Sequence, residues 1–280
     1  MRDIAIIGKG PAGLSCAITA RMRGLNALMI APRHNVSWLM RAERVDNYPG
    51  LKKTAGADLL KAFLKQAEGM GAETVQGMVR QILPMDGGFM LLVENDVVEA
   101  KTIVIATGAA KPKLLPGEEA LIGAGVSYCA TCDGNFYRGK KIAVLSEDDQ
   151  GAEEAEFLQG IVSELDYYPI RKHEFPGAFR TVQERPSALR RTDGGIAVVT
   201  DKAEHIYDGV FIFRTGIPLG MLLDGLRMED GVIAVDRNMR TNIPGVFAAG
   251  DCTGKPLQVA KAVGEGNVAA IYAAEYIQKG

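Results

Sequence analysis

The chain opens on Ile4-Ala5-Ile6-Ile7, then Gly8-Lys9-Gly10-Pro11-Ala12-Gly13, then an alanine-rich helical stretch from Leu14 to Arg23. An apolar run, a G-x-G-x-x-G turn and a helix in direct succession define the start of a dinucleotide-binding βαβ unit. Gly8 permits the tight turn, Gly10 lets the backbone approach a pyrophosphate, and Gly13 lets helix and strand pack closely. The helix start offers N–H groups and a positive dipole end to phosphates. Gly8, Gly10, Pro11, Ala12 and Gly13 are therefore candidate cofactor contacts. The next strand, Ala27 to Ile30, is followed by Ala31-Pro32-Arg33, where an acid for the adenosine ribose is expected. Ribose recognition must come from elsewhere. Arg33 and His34 are candidates, and either could equally be a solvated loop residue.

Near the middle lies Cys129-Ala130-Thr131-Cys132-Asp133. Two thiols separated by two residues close a disulfide with little backbone movement, and the acid that follows can supply or take a proton. A zinc site needs four ligands. Cys16 and Cys252 are single and remote, and His34, His173 and His205 are scattered, so a redox dithiol is expected and a metal is not. At 280 residues the chain has room for two modest domains, and 47% hydrophobic content with 33 glycines suits a packed α/β protein. A formal charge of -2 gives no nucleic-acid footprint. No run of about 18 apolar residues exists to cross a membrane. The first strand starts too early to follow a signal peptide, so a cytoplasmic location is expected. There a disulfide is transient and catalytic rather than structural.

Two further segments suit a flavin. Thr102 to Gly108 reads as a buried strand ending in a turn, with Thr107 and Gly108 near the nucleotide. Ile243 to Asp251 is a strand running into a Gly250-Asp251 turn, before a helix from about Gln258. Asp251 is placed to hold ribityl hydroxyls, and the helix start to direct its dipole at the flavin ring.

With Gly8 to Gly13, Asn47-Tyr48-Pro49-Gly50, Ala106-Thr107-Gly108, Cys129 to Gly134 and Ala248 to Asp251, the chain resembles the low-molecular-weight thioredoxin reductases. These are FAD-dependent pyridine nucleotide-disulfide oxidoreductases. The resemblance implies an α/β fold of two Rossmann-like, three-layer ββα domains, the second inserted in the first. The FAD domain would be 1–111 plus 243–280, with a meander near Val79–Leu83, Phe89–Val93 and Val97–Lys101. The dithiol domain would be 112–242, with hinges near Lys111-Pro112 and Thr241-Asn242. The resemblance also implies a homodimer, Asn47 and Gln258 as further FAD contacts, Cys132 toward the flavin, Cys129 as interchange thiol and Asp133 as proton donor and acceptor.

The second nucleotide site departs from the NADPH-dependent pattern. Strand Lys140 to Leu145 leads into Ser146-Glu147-Asp148-Asp149-Gln150, without the usual glycines and with three carboxylates. A pyrophosphate there meets like charges, each close pair costing on the order of 1–4 kcal/mol. Asp148 or Asp149 would instead cap the helix from about Gly151 to Ile161. The strand Val162 to Leu165 leads into Asp166-Tyr167-Tyr168-Pro169 instead of a basic cluster, although Arg171 and Lys172 follow. NADPH is thus not the expected donor. The resemblance narrows to the ferredoxin-dependent flavin thioredoxin reductases, with Ser37-Trp38-Leu39 in place of Gly-Gly-Gln. That implies reduced ferredoxin as donor and a thioredoxin-like protein as acceptor. Arg41, Arg44, Lys52 and Lys53 are a candidate docking patch or a plain solvated face. Trp38 is a candidate to stack near the flavin or a partner, or to pack, whereas Cys16 and Cys252 read as core residues. The alternatives are an NADPH-dependent reductase with an atypical site, a deazaflavin- or diflavin-linked reductase, and a non-catalytic flavin-bound redox sensor.

Overall fold

Strand β1 (Arg2–Ile7) runs into helix α1 (Pro11–Met22), which returns to β2 (Ala27–Ala31). Ile4 to Ile7 and the whole of β2 are buried. Continuous apolar runs of this kind mark parallel strands covered on both faces. Helix α2 (Gly56–Gly69) follows, then β3 (Glu73–Gln76), the hairpin β4 (Val79–Met85) and β5 (Gly88–Val93), and β6 (Asp96–Ile105). β1 pairs in parallel with β2 and β6, and β2 with β3. The first part of β6 pairs antiparallel with β5, completing a three-stranded meander beside the parallel core. The computed structural model describes residues 1–32, 37–94, 96–109, 114–147, 149–170, 179–214 and 218–279, and only the backbone of Trp38, Asp149 and Gln150.

The chain next forms β7 (Val126–Ser127), the short helix α3 (Ala130–Asp133), β8 (Lys141–Ser146), α4 (Asp149–Gln159), β9 (Glu164–Pro169) and β10 (Arg180–Thr181). An antiparallel meander of β11 (Pro186–Thr192), β12 (Gly195–Thr200) and β13 (Glu204–Tyr207) leads to β14 (Gly209–Phe213). The parallel sheet has the order β10-β9-β8-β14-β7. α4 packs Ala152, Ala155 and Leu158 against Ile142, Val144, Phe211 and Phe213 on one face. The meander lies against the other face, where the Tyr168 and Tyr207 hydroxyls meet at 2.6 Å. This is a three-layer ββα arrangement.

The last segment adds the small hairpin β15 (Met228–Glu229) and β16 (Val232–Ile233), then β17 (Val246–Ala248), parallel to β6, and the long helix α5 (Val259–Lys279). α5 packs on α1 through small residues. A Cβ at Gly266 would lie 2.1 Å from the Ala12 carbonyl oxygen, so only glycine allows this approach.

Two compact units result, Met1–Lys111 with Pro218–Gly280, and Pro112–Ile217. The second crossing therefore precedes the expected Thr241-Asn242. The reason lies in nonlocal bonding within the first unit. Ile82 N–H donates to the Leu222 carbonyl at 2.7 Å, and Ala248 N–H to the Met239 carbonyl at 3.0 Å. Residues 218–242 thus belong with the first unit. The expected Lys111-Pro112 hinge, and the candidates Arg33, His34, Arg171 and Lys172, lie outside the described residues.

The sequence reading of β9 also needs correction. Asp166, Tyr167 and Tyr168 are buried strand residues, not the segment beyond the strand. Asp166 is held by Tyr207 Oη–H at 2.8 Å and by Arg180 Nε at 2.9 Å. Polar residues at the centre of β9 imitate a loop in the sequence. Their partners are supplied by distant β13 and β10.

Candidate active site

In the first unit, β1, β6 and β17 are neighbouring parallel strands whose last residues align. Ile7 is opposite Ile105, and Ile105 opposite Ala248. The loops that follow, Gly8–Gly13, Ala106–Gly108 and Ala249–Asp251, therefore leave the sheet at one edge. The carboxyl ends of such strands form the crevice where nucleotides bind in open α/β sheets. Gly8 has φ of 120°, and a Cβ there would lie 2.2 Å from the Ala106 oxygen. A Cβ at Gly13 would lie 2.0 Å from the Gly8 oxygen. Gly10, by contrast, faces open space, with nothing within 4 Å of an added Cβ. No side chain caps the start of α1, Pro11 occupies its first turn, and no acid stands there. These features fit a dinucleotide phosphate: a turn closed by its own backbone, one open glycine and an uncapped helix end.

Other predicted residues gather in the same unit. Asn47 Nδ2 donates to Gln258 Oε1 at 2.7 Å, joining two candidates far apart in sequence. Asn47 lines a cleft of about 640 Å³ bounded by residues 46–52. The Gly250-Asp251 turn is held by two α5 side chains that the sequence reading missed. Lys261 Nζ donates to the carbonyls of Gly250 at 3.0 Å and Gly254 at 2.8 Å. Glu265 Oε2 accepts the Gly250 N–H at 2.8 Å and the Thr253 hydroxyl at 3.0 Å. Burial raises the Asp251 carboxyl above its ordinary range, with Lys261 opposing the shift and Glu265 adding to it. The i,i+4 spacing of Lys261 and Glu265 was the available signal. Cys16 and Cys252 are buried free thiols, and burial raises both, Cys252 to about 12.

In the second unit, Cys129 and Cys132 form a disulfide with Cα atoms 5.3 Å apart. Cys129 precedes α3, and its sulfur accepts the Cys132 N–H at 3.1 Å. Thr131 Oγ1 lies 3.5 Å from the same sulfur. A disulfide sulfur has no hydrogen, so the Thr131 hydroxyl is the donor. Asp133 accepts a 2.6 Å hydrogen bond from Ser127 Oγ, another residue missed by the sequence reading. Cys129, Cys132 and Asp133 are all partly exposed. Phe136, just beyond them, is 74% exposed. Among the described residues, no group of three or more His, Cys, Asp or Glu side chains could hold a metal.

The β8–α4 turn shares one feature of the β1–α1 turn and lacks another. A Cβ at Gly151 would lie 2.1 Å from Ser146 Oγ and 2.7 Å from Phe213 Cβ. Gly151 thus serves the helix–strand approach that Gly13 serves in the first unit. Ser146 is a fully buried strand residue where Gly8 makes its turn. The sequence reading overlooked Gly151, the third glycine of the pattern. Asp148, a candidate cap of α4, lies outside the described residues.

A dinucleotide cradle on one Rossmann-like unit and a C-x-x-C disulfide on another define a nucleotide-dependent disulfide reductase. Residues 2–162 and 179–266 match the family described as pyridine nucleotide-disulphide oxidoreductase. A thioredoxin reductase of Listeria monocytogenes is 34% identical, covering 99% of this chain and 94% of the relative. A ferredoxin-flavin thioredoxin reductase structure from Clostridium acetobutylicum superposes with a TM-score of 0.91 at 37% identity, over 100% of this chain and 99% of that one. A thioredoxin reductase structure from Lactococcus lactis gives 0.59 at 32% identity, over 100% of both chains. The chain belongs to the pyridine nucleotide-disulphide oxidoreductase family, as an FAD-dependent disulfide oxidoreductase of the thioredoxin reductase type.

Proposed function

We propose that this chain reduces thioredoxin, or a similar small disulfide protein, with electrons from reduced ferredoxin rather than NADPH. The observation that carries the donor reading is the β8–α4 turn. It keeps Gly151, which the fold needs, and lacks the glycines a pyrophosphate needs. Glu147, Asp148 and Asp149 add three carboxylates there, each disfavouring a nearby phosphate by on the order of 1–4 kcal/mol. The likeness to the Clostridium ferredoxin-flavin enzyme supports the same reading. Asp166 to Tyr168 lend it no support, because those residues are core.

In this reading the first unit holds FAD through Gly8, Gly10, Pro11, Ala12, Gly13, Asn47, Thr107, Gly108, Gly250, Asp251 and Gln258. When bound, FAD collects electrons singly and supplies them in pairs to a disulfide. Reduction of the Cys129–Cys132 bond takes two electrons and two protons and yields two thiols. Cys132 is the flavin-side sulfur and Cys129 the interchange thiol. The Cys132 N–H and the Thr131 hydroxyl both favour thiolate at Cys129, the form that attacks. That thiolate attacks one sulfur of the partner disulfide, and the other partner sulfur leaves. Cys132 then attacks Cys129, re-forming their bond and releasing the second partner thiolate. Asp133 holds and returns the proton at the Cys129–Cys132 pair. The exposed Phe136 gives the partner an apolar contact beside it. Cytoplasmic location and a homodimer belong to the same proposal.

Side-by-side spectral titration with NADPH, NADH and photoreduced ferredoxin tests the donor. Ferredoxin should bleach the flavin and sustain thioredoxin reduction, while NADPH at millimolar concentration should not. Rapid bleaching by micromolar NADPH would overturn the assignment.

A further inference from the structure

We propose that Ser127 is the positioning residue that holds Asp133 in place for proton transfer at the dithiol. The proposal rests on the proton role of Asp133 given above. Ser127 ends β7 and is buried, where a hydroxyl is costly unless its hydrogen bonds are made. Its oxygen has three neighbours. It accepts the Cys129 N–H at 3.1 Å, donates to Asp133 Oδ2 at 2.6 Å, and lies 3.3 Å from the Cys129 carbonyl oxygen. The hydroxyl has one hydrogen. The shorter contact, to an acceptor that carries charge, claims it, because charge-assisted bonds are shorter and stronger than neutral ones.

With Oδ2 engaged by Ser127, Asp133 Oδ1 is the oxygen left to exchange a proton with a sulfur. Ser127 also ties the carboxylate to the backbone of Cys129 itself. Asp133 therefore keeps its register with the dithiol when the sulfur–sulfur bond opens. The bond reaches across six residues from a sheet strand to a four-residue helix, which has little rigidity of its own. Ala or Val at this buried end of β7 would make neither the bond to Asp133 nor the one from the Cys129 N–H.

The test uses FAD-loaded protein carrying Ser127→Ala, Ser127→Thr, Asp133→Asn, or Ser127→Ala with Asp133→Asn. Steady-state reduction of oxidised thioredoxin is followed with photoreduced ferredoxin as donor. Reaction of the reduced protein with a small aromatic disulfide is followed by stopped flow. Ser127→Ala should lower kcat about tenfold with KM for thioredoxin unchanged, as expected when an acid–base group is misplaced rather than removed. Ser127→Thr retains the hydroxyl and should stay within about twofold of the parent. In the Asp133→Asn background, Ser127→Ala should add little, because both changes disable one function. If the serine were purely structural, its loss would slow the Asp133→Asn variant as much as it slows the parent. That result, or an unchanged kcat for Ser127→Ala beside a slowed Asp133→Asn, overturns the proposal. An Asp133→Asn protein as fast as the parent would instead remove the proton role of Asp133, and Ser127 positioning with it.

Discussion

Cys129 and Cys132 are chemically identical and differently placed, and the asymmetry is local. Two donors, Cys132 N–H and Thr131 Oγ1, converge on the Cys129 sulfur. Hydrogen bonds to a thiolate favour the charged form. After reduction, Cys129 should therefore be alkylated first by a limiting dose of iodoacetamide, with peptide mass spectrometry reporting the ratio. Preferential labelling of Cys132 would reverse the assigned roles. Cys132→Ser should keep FAD bound, with an unchanged flavin spectrum, and should abolish electron flow to thioredoxin. At this scale the tight glycine turn and the Cys129–Cys132 pairing were legible in the sequence, because G-x-G-x-x-G and C-x-x-C are contiguous and answer local geometric demands. Ser127, which holds Asp133, was not legible. A lone serine two residues before a cysteine carries no signal until β7 and α3 are folded together. The Asn47–Gln258 bond was hidden for the same reason, since its partners lie 211 residues apart.

Helix starts separate the two units more clearly than their strands do. α1 begins uncapped, without an acid in its first turn, whereas α4 begins with Asp149 directly after Glu147 and Asp148. The start of α5 carries Lys261, a cation at the end of a helix where the dipole disfavours one. Its three oxygen contacts on the Gly250–Gly254 loop and its pairing with Glu265 offset that cost. Lys261→Met should therefore loosen the loop bearing Asp251 and weaken FAD binding about tenfold, the loss of roughly 1.4 kcal/mol. Fluorescence titration of the apoprotein with FAD measures this, and unchanged affinity would free Lys261 of any such role. The amino end of β1 is tied to its neighbours by Asp3, which accepts Lys101 Nζ at 2.8 Å and Asn26 N–H at 2.9 Å. Those bonds hold its carboxyl below the usual range. A carboxyl depressed by folding stabilises above its unfolded value, and that stabilisation is lost as pH falls through the folded value. Asp3→Asn should thus cost at most about 1 kcal/mol at neutral pH, because the pair meets solvent. The gap between variant and parent should close in acid, as followed by urea unfolding at several pH values. Element boundaries were legible where apolar runs are unbroken, as in β1, β2 and β8. The extent of β9 was not, because Asp166 and Tyr168 are polar by themselves and become core only once Arg180 and Tyr207 pair with them.

Two units were expected from the resemblance that the motifs carry, but the place of return was not legible. Residues 218–242 contain only short strands and turns, so no periodicity assigns them to either unit, and their bonds to Ile82 and Ala248 decide. A buried ion pair lies close to both ends of the second unit. Glu118 is fully buried soon after the chain enters, and Arg214 is 4% exposed shortly before it leaves. Arg214 Nη2 donates to Glu118 Oε2 at 2.8 Å, and the same carboxylate receives Leu115 N–H and the Tyr128 hydroxyl. The pair fastens the incoming segment to the end of β14, so it acts on the integrity of the unit rather than on any one element. Removing one charge strands the other in the interior, which costs more than the pair contributes over an apolar replacement. Glu118→Gln should accordingly destabilise the second unit by about 3 kcal/mol. Glu118→Leu with Arg214→Met should recover most of that loss, because no buried charge remains. Calorimetry of the FAD-loaded protein, together with hydrogen exchange at Val144 and Phe211, distinguishes the second unit from the first. Loss of protection confined to the second unit is expected in the single variant. If the double variant is as unstable as the single, the pair contributes through specific geometry, and uncompensated charge is not the source of the cost.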